Sequence, residues 1–258
     1  MKKLSIKLSL ALLFLVAAIS AKAQDYTIDV SNPSGTKLMI KEVNRVSVEV
    51  YDGNSIQIST SDSGGDPERA AGLTALSARG KDNTGIGLNV ENGGSQITVL
   101  QVARRGEGRY KLKIPKSMKV SIEHTGNYEG GKIEVYGVST ELEIAGTFNP
   151  VYMEDVTGPA LVNTVYGDLE AVFNSLSQVG PTSLVSVYGA VDVTMPAATK
   201  ADVTIKTPYG EAYSDMEIQF PDSEGMRKLN STIDGKLNGG GVKLDLKASY
   251  GNVYLRKK

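Results

Sequence analysis

The chain has 258 residues, no cysteine and a single histidine, and it carries 28 basic against 29 acidic residues. That near-balance argues against nucleic acid or anionic lipid as the main partner. The lack of cysteine excludes a disulfide framework, a thiolate metal site and a lipid-bearing cysteine.

Residues 1–23 read as a secretory signal peptide. Lys2, Lys3 and Lys7 precede an apolar run from Leu8 to Ile19, and Ala21-Lys22-Ala23 supplies a small-x-small cleavage pattern. The apolar run is too short for a membrane span, and no later stretch is long and apolar enough for a transmembrane helix. Taking Lys2, Lys3, Lys7 and Lys22 from the 28 basic residues leaves 24 against 29 acidic, a net charge of about −5 for the mature chain.

Residues 24–109 form a predicted N-terminal β region with a loop insertion, continuous with the rest of the chain. Val46 to Val50 and Ile56 to Ile58 alternate about Tyr51-Asp52-Gly53-Asn54, a hairpin signal. Ser61 to Pro67 is a loop, and Pro67 to Ala78 suits one short helix opened by its proline. Asp82-Asn83-Thr84-Gly85 and Asn92-Gly93-Gly94 are turns, with strands at Ile86 to Val90 and Gln96 to Val102.

From residue 110 to 258 the chain repeats itself. Ile114-Pro115 and Met195-Pro196 are each followed, four residues past the proline, by Lys119 or Lys200 and then a strand. The stronger repeat is a Tyr-Gly pair at Tyr166-Gly167, Tyr188-Gly189, Tyr209-Gly210 and Tyr250-Gly251, spaced by 22, 21 and 41 residues. Phe148-Asn149, 18 residues before Tyr166, takes the same place and fits the register better than Tyr136-Gly137. Fixed short periods mark repeat architectures. The spacing predicts an all-β, single-stack β-solenoid with roughly 20–22-residue coils and little helix. Each pair marks a corner whose glycine takes a positive φ and whose tyrosine lies over the turn with its hydroxyl wet. A coil of this length offers about four inward apolar side chains at about 1.5–3 kcal/mol each. Ordering its backbone costs about 1–2 kcal/mol per residue, so a coil is stable only when stacked. Arg256-Lys257-Lys258 would then place charge on the terminal coil and blunt its edge.

The Pro-x-x-x-Lys phrases, Asp82 to Leu88, Leu237-Asn238-Gly239-Gly240-Gly241 and Ser249-Tyr250-Gly251-Asn252-Val253 resemble the bacterial β-strand-repeat family of "putative adhesins". The leader ending near Ala23-Gln24 is similar to those of Bacteroidetes. The resemblance covers the chain from about Ala70 onward. It implies a solenoid with an interaction role, and it brings no catalytic residues.

Residues that carry chemistry are few. His124 follows a predicted strand and precedes Thr125-Gly126-Asn127, a turn position rather than part of a catalytic set. Asp82 to Gly85 lacks the spaced acidic loop of calcium motifs, and turn chemistry accounts for it. Three residues past each corner glycine stand Glu170, Asp192 and Tyr213. Stacking would bring Glu170 and Asp192 about 5 Å apart, near the spacing of a retaining glycosidase pair. They alternate with inward Leu169, Val191 and Val193, so they face water, where nothing raises the pKa of a general acid. They are surface contacts for a cation or sugar at most. No catalytic, cofactor-binding or metal-ligating residue is predicted.

The expected function is that of a non-enzymatic, exported envelope protein presenting a β-surface to a protein or glycan partner. It would sit in the periplasm, on the outer-membrane surface or outside the cell. The alternatives are a carbohydrate-binding or polysaccharide-cleaving β-helix protein using Glu170, Asp192 and Tyr213, and a periplasmic structural or signalling component.

Overall fold

The computed structural model describes residues 24–61, 69, 73, 78–102, 109–126, 130–220 and 232–258. The expected leader, and most of the helix expected from Pro67 to Ala78, lie outside these residues. Apart from 3-10 turns such as Pro33–Gly35, the described elements are β-strands in two large mixed sheets.

The first sheet has ten strands. In spatial order they are β1 (Gln24–Asp29), β4 (Ser55–Thr60), β7 (Tyr110–Pro115), β3 (Val46–Tyr51), β9 (Ile133–Tyr136), β11 (Val151–Glu154), β13 (Leu169–Val172), β15 (Val191–Met195), β21 (Val253–Lys257) and β17 (Ala212–Ser214). The second has eleven: β18 (Ile218–Gln219), β19 (Thr232–Leu237), β16 (Ala201–Lys206), β20 (Val242–Ala248), β14 (Thr182–Ser186), β12 (Ala160–Thr164), β10 (Leu142–Gly146), β8 (Lys119–His124), β2 (Lys37–Lys41), β6 (Gln96–Gln101) and β5 (Leu88–Asn92). From β8 to β15 successive strands alternate between the sheets, and each pairs in parallel with its counterpart in the next layer.

Period-two alternation builds the core. Strand β12 reads buried, exposed, buried, exposed, buried, and its inward Ala160, Val162 and Thr164 face the interior. Inward side chains of both sheets join one cluster that runs from Ile28 to Leu255 and includes Phe173, Leu184, Val193 and Leu246. Strands of residues 24–109 enter the same ladders, β2 beside β8 and β3 beside β9. The two proline phrases are equivalent turns: Met118 N–H donates to Pro115 O at 3.1 Å, and Thr199 N–H to Pro196 O at 2.9 Å. Asp82 closes its own loop by accepting from the backbone of Thr84, Gly85 and Gly87.

The layers do not stack in chain order. Strands β20 and β21, the last of the chain, lie between the β14/β15 layer and the β16/β17 layer. Arg256 and Lys257 are therefore on an interior layer and not on the terminal edge, which belongs to β17 and β18. The cause is local. Strand β19 runs antiparallel along the outer side of β16. Asn238, Gly239 and Gly240 then take φ of 48°, 84° and 91°, so the chain turns back across the end of β16. Asn238 Nδ2 pins that turn by donating to the carbonyls of Ala197 and Thr199, both at 2.8 Å.

A similar slot opens near the N-terminus. Strands β3 and β4 do not form the hairpin expected about Asp52-Gly53, because β7 lies between them, parallel to β3 and antiparallel to β4. Tyr51 Oη donates to Ser55 O at 2.8 Å across the widened connection.

The corner glycines also differ from expectation. None of Gly167, Gly189, Gly210 and Gly251 has a positive φ. Glycine is required there by approach between layers. A Cβ on Gly189 would lie 2.2 Å from Gly167 O, one on Gly251 2.2 Å from Gly189 O, and one on Gly210 1.9 Å from Gly251 O. Gly167 O is held in place by Ser186 Oγ at 2.8 Å.

His124 ends strand β8 and is fully buried, not at a turn. Burial pushes its pKa below the ordinary value, with Glu42 and Asn149 pulling the other way. Burial also acts to raise the pKa of Glu42, but the amide and hydroxyl of Thr125, at 3.0 and 3.2 Å, hold it below the usual carboxylate value. Both shifts have one sign. The unfolded histidine binds a proton more readily than the folded one, so its contribution is complete above about pH 6.5 and falls with acid. The Glu42 contribution is present above its unfolded pKa, about 4.3, and is lost as pH falls through the lower folded value. Urea titrations are expected to show stability declining from about pH 6.5 downward, and His124→Gln is expected to flatten the part above about pH 5. A wild-type profile flat from about pH 7 to about pH 5 would contradict this.

Candidate functional site

Strand alternation sends every second side chain of the first sheet outward, and parallel register lines these up in rows. One row runs Glu134, Tyr152, Glu170, Asp192, Tyr254 and Tyr213. The next runs Glu49, Tyr136, Glu154, Val172, Thr194 and Arg256. The face is thus a lattice of tyrosines and carboxylates on a backbone fixed by continuous ladders.

The residues expected as surface contacts lie in the first row. Glu170 and Asp192 are register neighbours on β13 and β15, and Glu170 is exposed. Arg256 grips Asp192 with two bonds, Nε to Oδ1 at 2.8 Å and Nη2 to Oδ2 at 3.0 Å. Tyr213 does not follow Asp192 in space. Tyr254 lies between them, with its ring 5.4 Å from that of Tyr213.

At the Glu134 end of this row is a groove of about 670 Å³ across β1, β4, β7, β3 and β9. Its charged lining is balanced: Arg109, Lys111 and Lys113 against Asp25, Glu49 and Glu134. Glu134 is only 9% exposed and receives Arg109 at 3.5 Å and Lys132 at 3.6 Å. Lys132 Nζ also sits 4.5 Å from the Tyr152 ring centroid, a cation–π contact. Tyr152 Oη donates to Glu154 at 3.0 Å, and burial together with that bond pushes the phenol up to about 12. Tyr136 packs on Tyr152 with ring centroids 5.9 Å apart and is raised by burial and by Glu134 and Glu154. These groups hold one another in place, which lowers the ordering cost of binding. Sequence reasoning misses this cluster, although Lys111-x-Lys113 and Glu134-x-Tyr136 carry the period-two signal of outward side chains.

The corner aromatics form a second exposed feature. Rings of Phe148, Tyr166, Tyr188, Tyr250 and Tyr209 stack in that order, centroids 4.8–4.9 Å apart and planes within 9° of parallel. Backbone bonds follow the same order: Tyr166 N–H to Thr147 O, Tyr188 to Val165, Tyr250 to Val187 and Tyr209 to Ser249, at 2.8–3.1 Å. Inside the stack both ring faces are occupied by neighbours, leaving edges and hydroxyls to solvent.

Asn149, at the corner beside Phe148, is buried and donates to Gly131 O at 2.7 Å. Among the described residues no helix is long and apolar enough to cross a membrane.

No family model and no curated protein matches the chain. The fold is similar to the crystal structure of a "putative cell adhesion protein" from Clostridium sporogenes, at 12% identity and a TM-score of 0.51, covering 92% of this chain and 100% of that one. A "putative adhesin" from Bacteroides fragilis matches at 10% identity and a TM-score of 0.34, over 93% of this chain and 98% of that one.

Proposed function

We propose that this chain is an exported, non-enzymatic envelope protein that uses the outer face of its first sheet to hold a macromolecule, in the manner of an adhesin. The single observation that carries the reading is the groove of about 670 Å³ lined by the Arg109–Glu134 ion pair and by Tyr136, set in a continuous tyrosine–carboxylate face. The volume lies within the about 300–1,000 Å³ of ordinary ligand clefts. The fold likeness to a protein named for cell adhesion supports the same role. The layers from β8 onward act as a β-solenoid, a stiff spacer that presents the face, and residues 24–109 complete one unit with them.

A glycan is the favoured partner. Balanced charge suits a neutral ligand, carboxylates and guanidinium groups bond vicinal hydroxyls, and tyrosine rings offer apolar contact. Cleavage is disfavoured because Asp192, the partner that Glu170 would need, is already engaged by Arg256.

Cell fractionation followed by binding of the purified mature protein to envelope fractions tests the proposal. The protein is expected in the periplasm or outside the cell. Arg109→Ala with Tyr136→Ala is expected to weaken binding about tenfold, the loss of about 1.4 kcal/mol of contact, without changing the thermal midpoint by more than a few degrees. Retention in the cytoplasm would contradict it. So would polysaccharide hydrolysis that disappears in a Glu170→Gln, Asp192→Asn variant.

A further inference from the structure

Among the described residues the last layer is covered on one sheet and bare on the other. In the second sheet β19 and β18 continue past β16, whereas in the first sheet the order ends at β17. Tyr209 has Tyr250 against one ring face, and among the described residues no second ring stacks on the other. It is 74% exposed against 51–54% for Tyr166, Tyr188 and Tyr250. Tyr213, stacked on Tyr254, also ends its row.

Between these two rings runs a backbone edge that no described strand pairs. Val253 N–H donates to Glu211 O and Asp215 N–H to Leu255 O, so the odd-numbered residues bond inward to β21. In a parallel ladder the alternate residues point the other way. The peptide groups of Ala212 and Ser214 therefore face outward.

The layer beneath shows what covers such a surface. Tyr209-Gly210-Glu211-Ala212-Tyr213 lies parallel and in register on Tyr250-Gly251-Asn252-Val253-Tyr254. Ring meets ring at both ends, glycine lies over glycine, and the backbones bond between. Each glycine is required because a Cβ would strike the carbonyl of the glycine below. A further layer on Gly210 meets the same constraint.

The geometry points to β17 as a docking edge for an extended segment of another protein, read as aromatic-Gly-x-x-aromatic and added in parallel. This is strand addition, with main-chain bonds giving affinity and side-chain positions giving selectivity. The exposed Glu211 carboxylate favours a basic residue at the first x. A sugar could cover the rings, but its hydroxyls do not repeat at the spacing and direction of the outward N–H and C=O groups of Ala212 and Ser214, which a parallel strand matches. A second copy of this chain fits less well: its Tyr250–Tyr254 segment is inside its own stack, and a two-fold pair of β17 strands would run antiparallel, unlike the layer beneath. Docking at β17 does not depend on what the groove holds.

The probe is the chain's own covering layer as a labelled peptide, Ser-Tyr-Gly-Asn-Val-Tyr-Leu-Arg, residues 249–256, with Lys replacing Asn in a second version. Fluorescence anisotropy and amide NMR of the intact mature protein are the readouts. Saturable binding is expected, tighter for the Lys version, with shifts at Tyr209, Ala212 and Ser214. Tyr209→Ala is expected to weaken it up to about tenfold, the worth of one aromatic pair. Ala212→Pro removes an outward N–H and should act likewise. Where that variant fails to fold, Tyr209→Ala on an exposed ring still decides. No binding at about 1 mM, roughly −4 kcal/mol, would overturn the inference. Equal binding of a scrambled peptide, or shifts at β14 and β15 in place of β17, would also overturn it. So would a neutral hexasaccharide that shifts Tyr209 and Tyr213 when the peptide does not.

Discussion

Gly189→Val is expected to unfold the protein under conditions in which Asp192→Ser leaves it folded. The added Cβ would sit 2.2 Å from Gly167 O and 2.5 Å from Gly167 C, both backbone atoms that no rotamer change can move. Gly167 O cannot retreat without losing the buried bond from Ser186 Oγ, whose oxygen also receives Gly189 N–H at 2.9 Å. Separating the layers would break the parallel ladders on either side, and Gly251 approaches Gly189 O just as closely in the next layer. The expected loss is at least about 4 kcal/mol, at the extreme of single substitutions. Gly189→Ala carries the same Cβ and should be nearly as severe. Asp192→Ser gives up an ion pair whose side chains are 32% and 53% exposed, a solvent-screened contact, so its thermal midpoint should fall by only about a few degrees. Thermal melts of the three variants decide. Similar midpoints for Gly189→Val and Asp192→Ser would refute the close-approach account.

Deletion of residues 242–258 is expected to abolish the folded state. These residues are β20 and β21, and they fill the slot between the β14/β15 and β16/β17 layers. Leu244, Leu246, Val253 and Leu255 are each at most 1% exposed. At about 1.5–3 kcal/mol for each buried side chain, four of them amount to about 6–12 kcal/mol. That is comparable with the whole stability of an ordinary domain, about 5–15 kcal/mol. The deletion also strips hydrogen-bond partners from four strands at once. Were the last layer terminal, its loss would expose one edge and leave the rest intact, as in repeat arrays. Circular dichroism and proteolysis of the shortened chain separate the outcomes. A cooperative melt within a few degrees of the full chain would contradict the insertion.

The β character of the chain is legible in the sequence because period-two alternation is a local property, seen in Val191 to Thr194 and Val253 to Arg256. The order of the layers is not. Spacings of 22, 21 and 41 residues say that corners recur, but nothing in them says that Tyr250 takes the place beside Tyr188. That is decided by the left-handed turn at Asn238 to Gly240 and by the bond from Asn238 to Ala197, which joins residues 41 apart. The same limit applies to Asp52-Gly53, where a hairpin signal cannot foresee that β7 enters between the two strands. Gly189 stands out in the repeat for its lack of a side chain, but the obstacle is an atom of another layer, not its own φ. Local pattern puts His124 one residue beyond its strand, and the groups that act on it in its buried place, Glu42 and Asn149, are distant in sequence. The candidate site is half visible. Glu170, Asp192 and Tyr213 are marked by the repeat, while Arg109, Glu134 and Tyr136 fall outside the Tyr-Gly period and meet only across paired strands.

The order of the layers is the claim on which the deletion and the docking edge both depend, and crosslinking tests it directly. The chain has no cysteine of its own, so pairs can be introduced without background. Tyr188 and Tyr250 are neighbours with ring centroids 4.9 Å apart, and Tyr250 separates Tyr188 from Tyr209. A Tyr188→Cys, Tyr250→Cys protein treated with a short bifunctional thiol reagent in the native state is expected to crosslink rapidly and within one chain. A Tyr188→Cys, Tyr209→Cys protein is expected to stay open, its two positions held two layers apart, about 9–10 Å. Rapid closure of the second pair and none of the first would contradict the account.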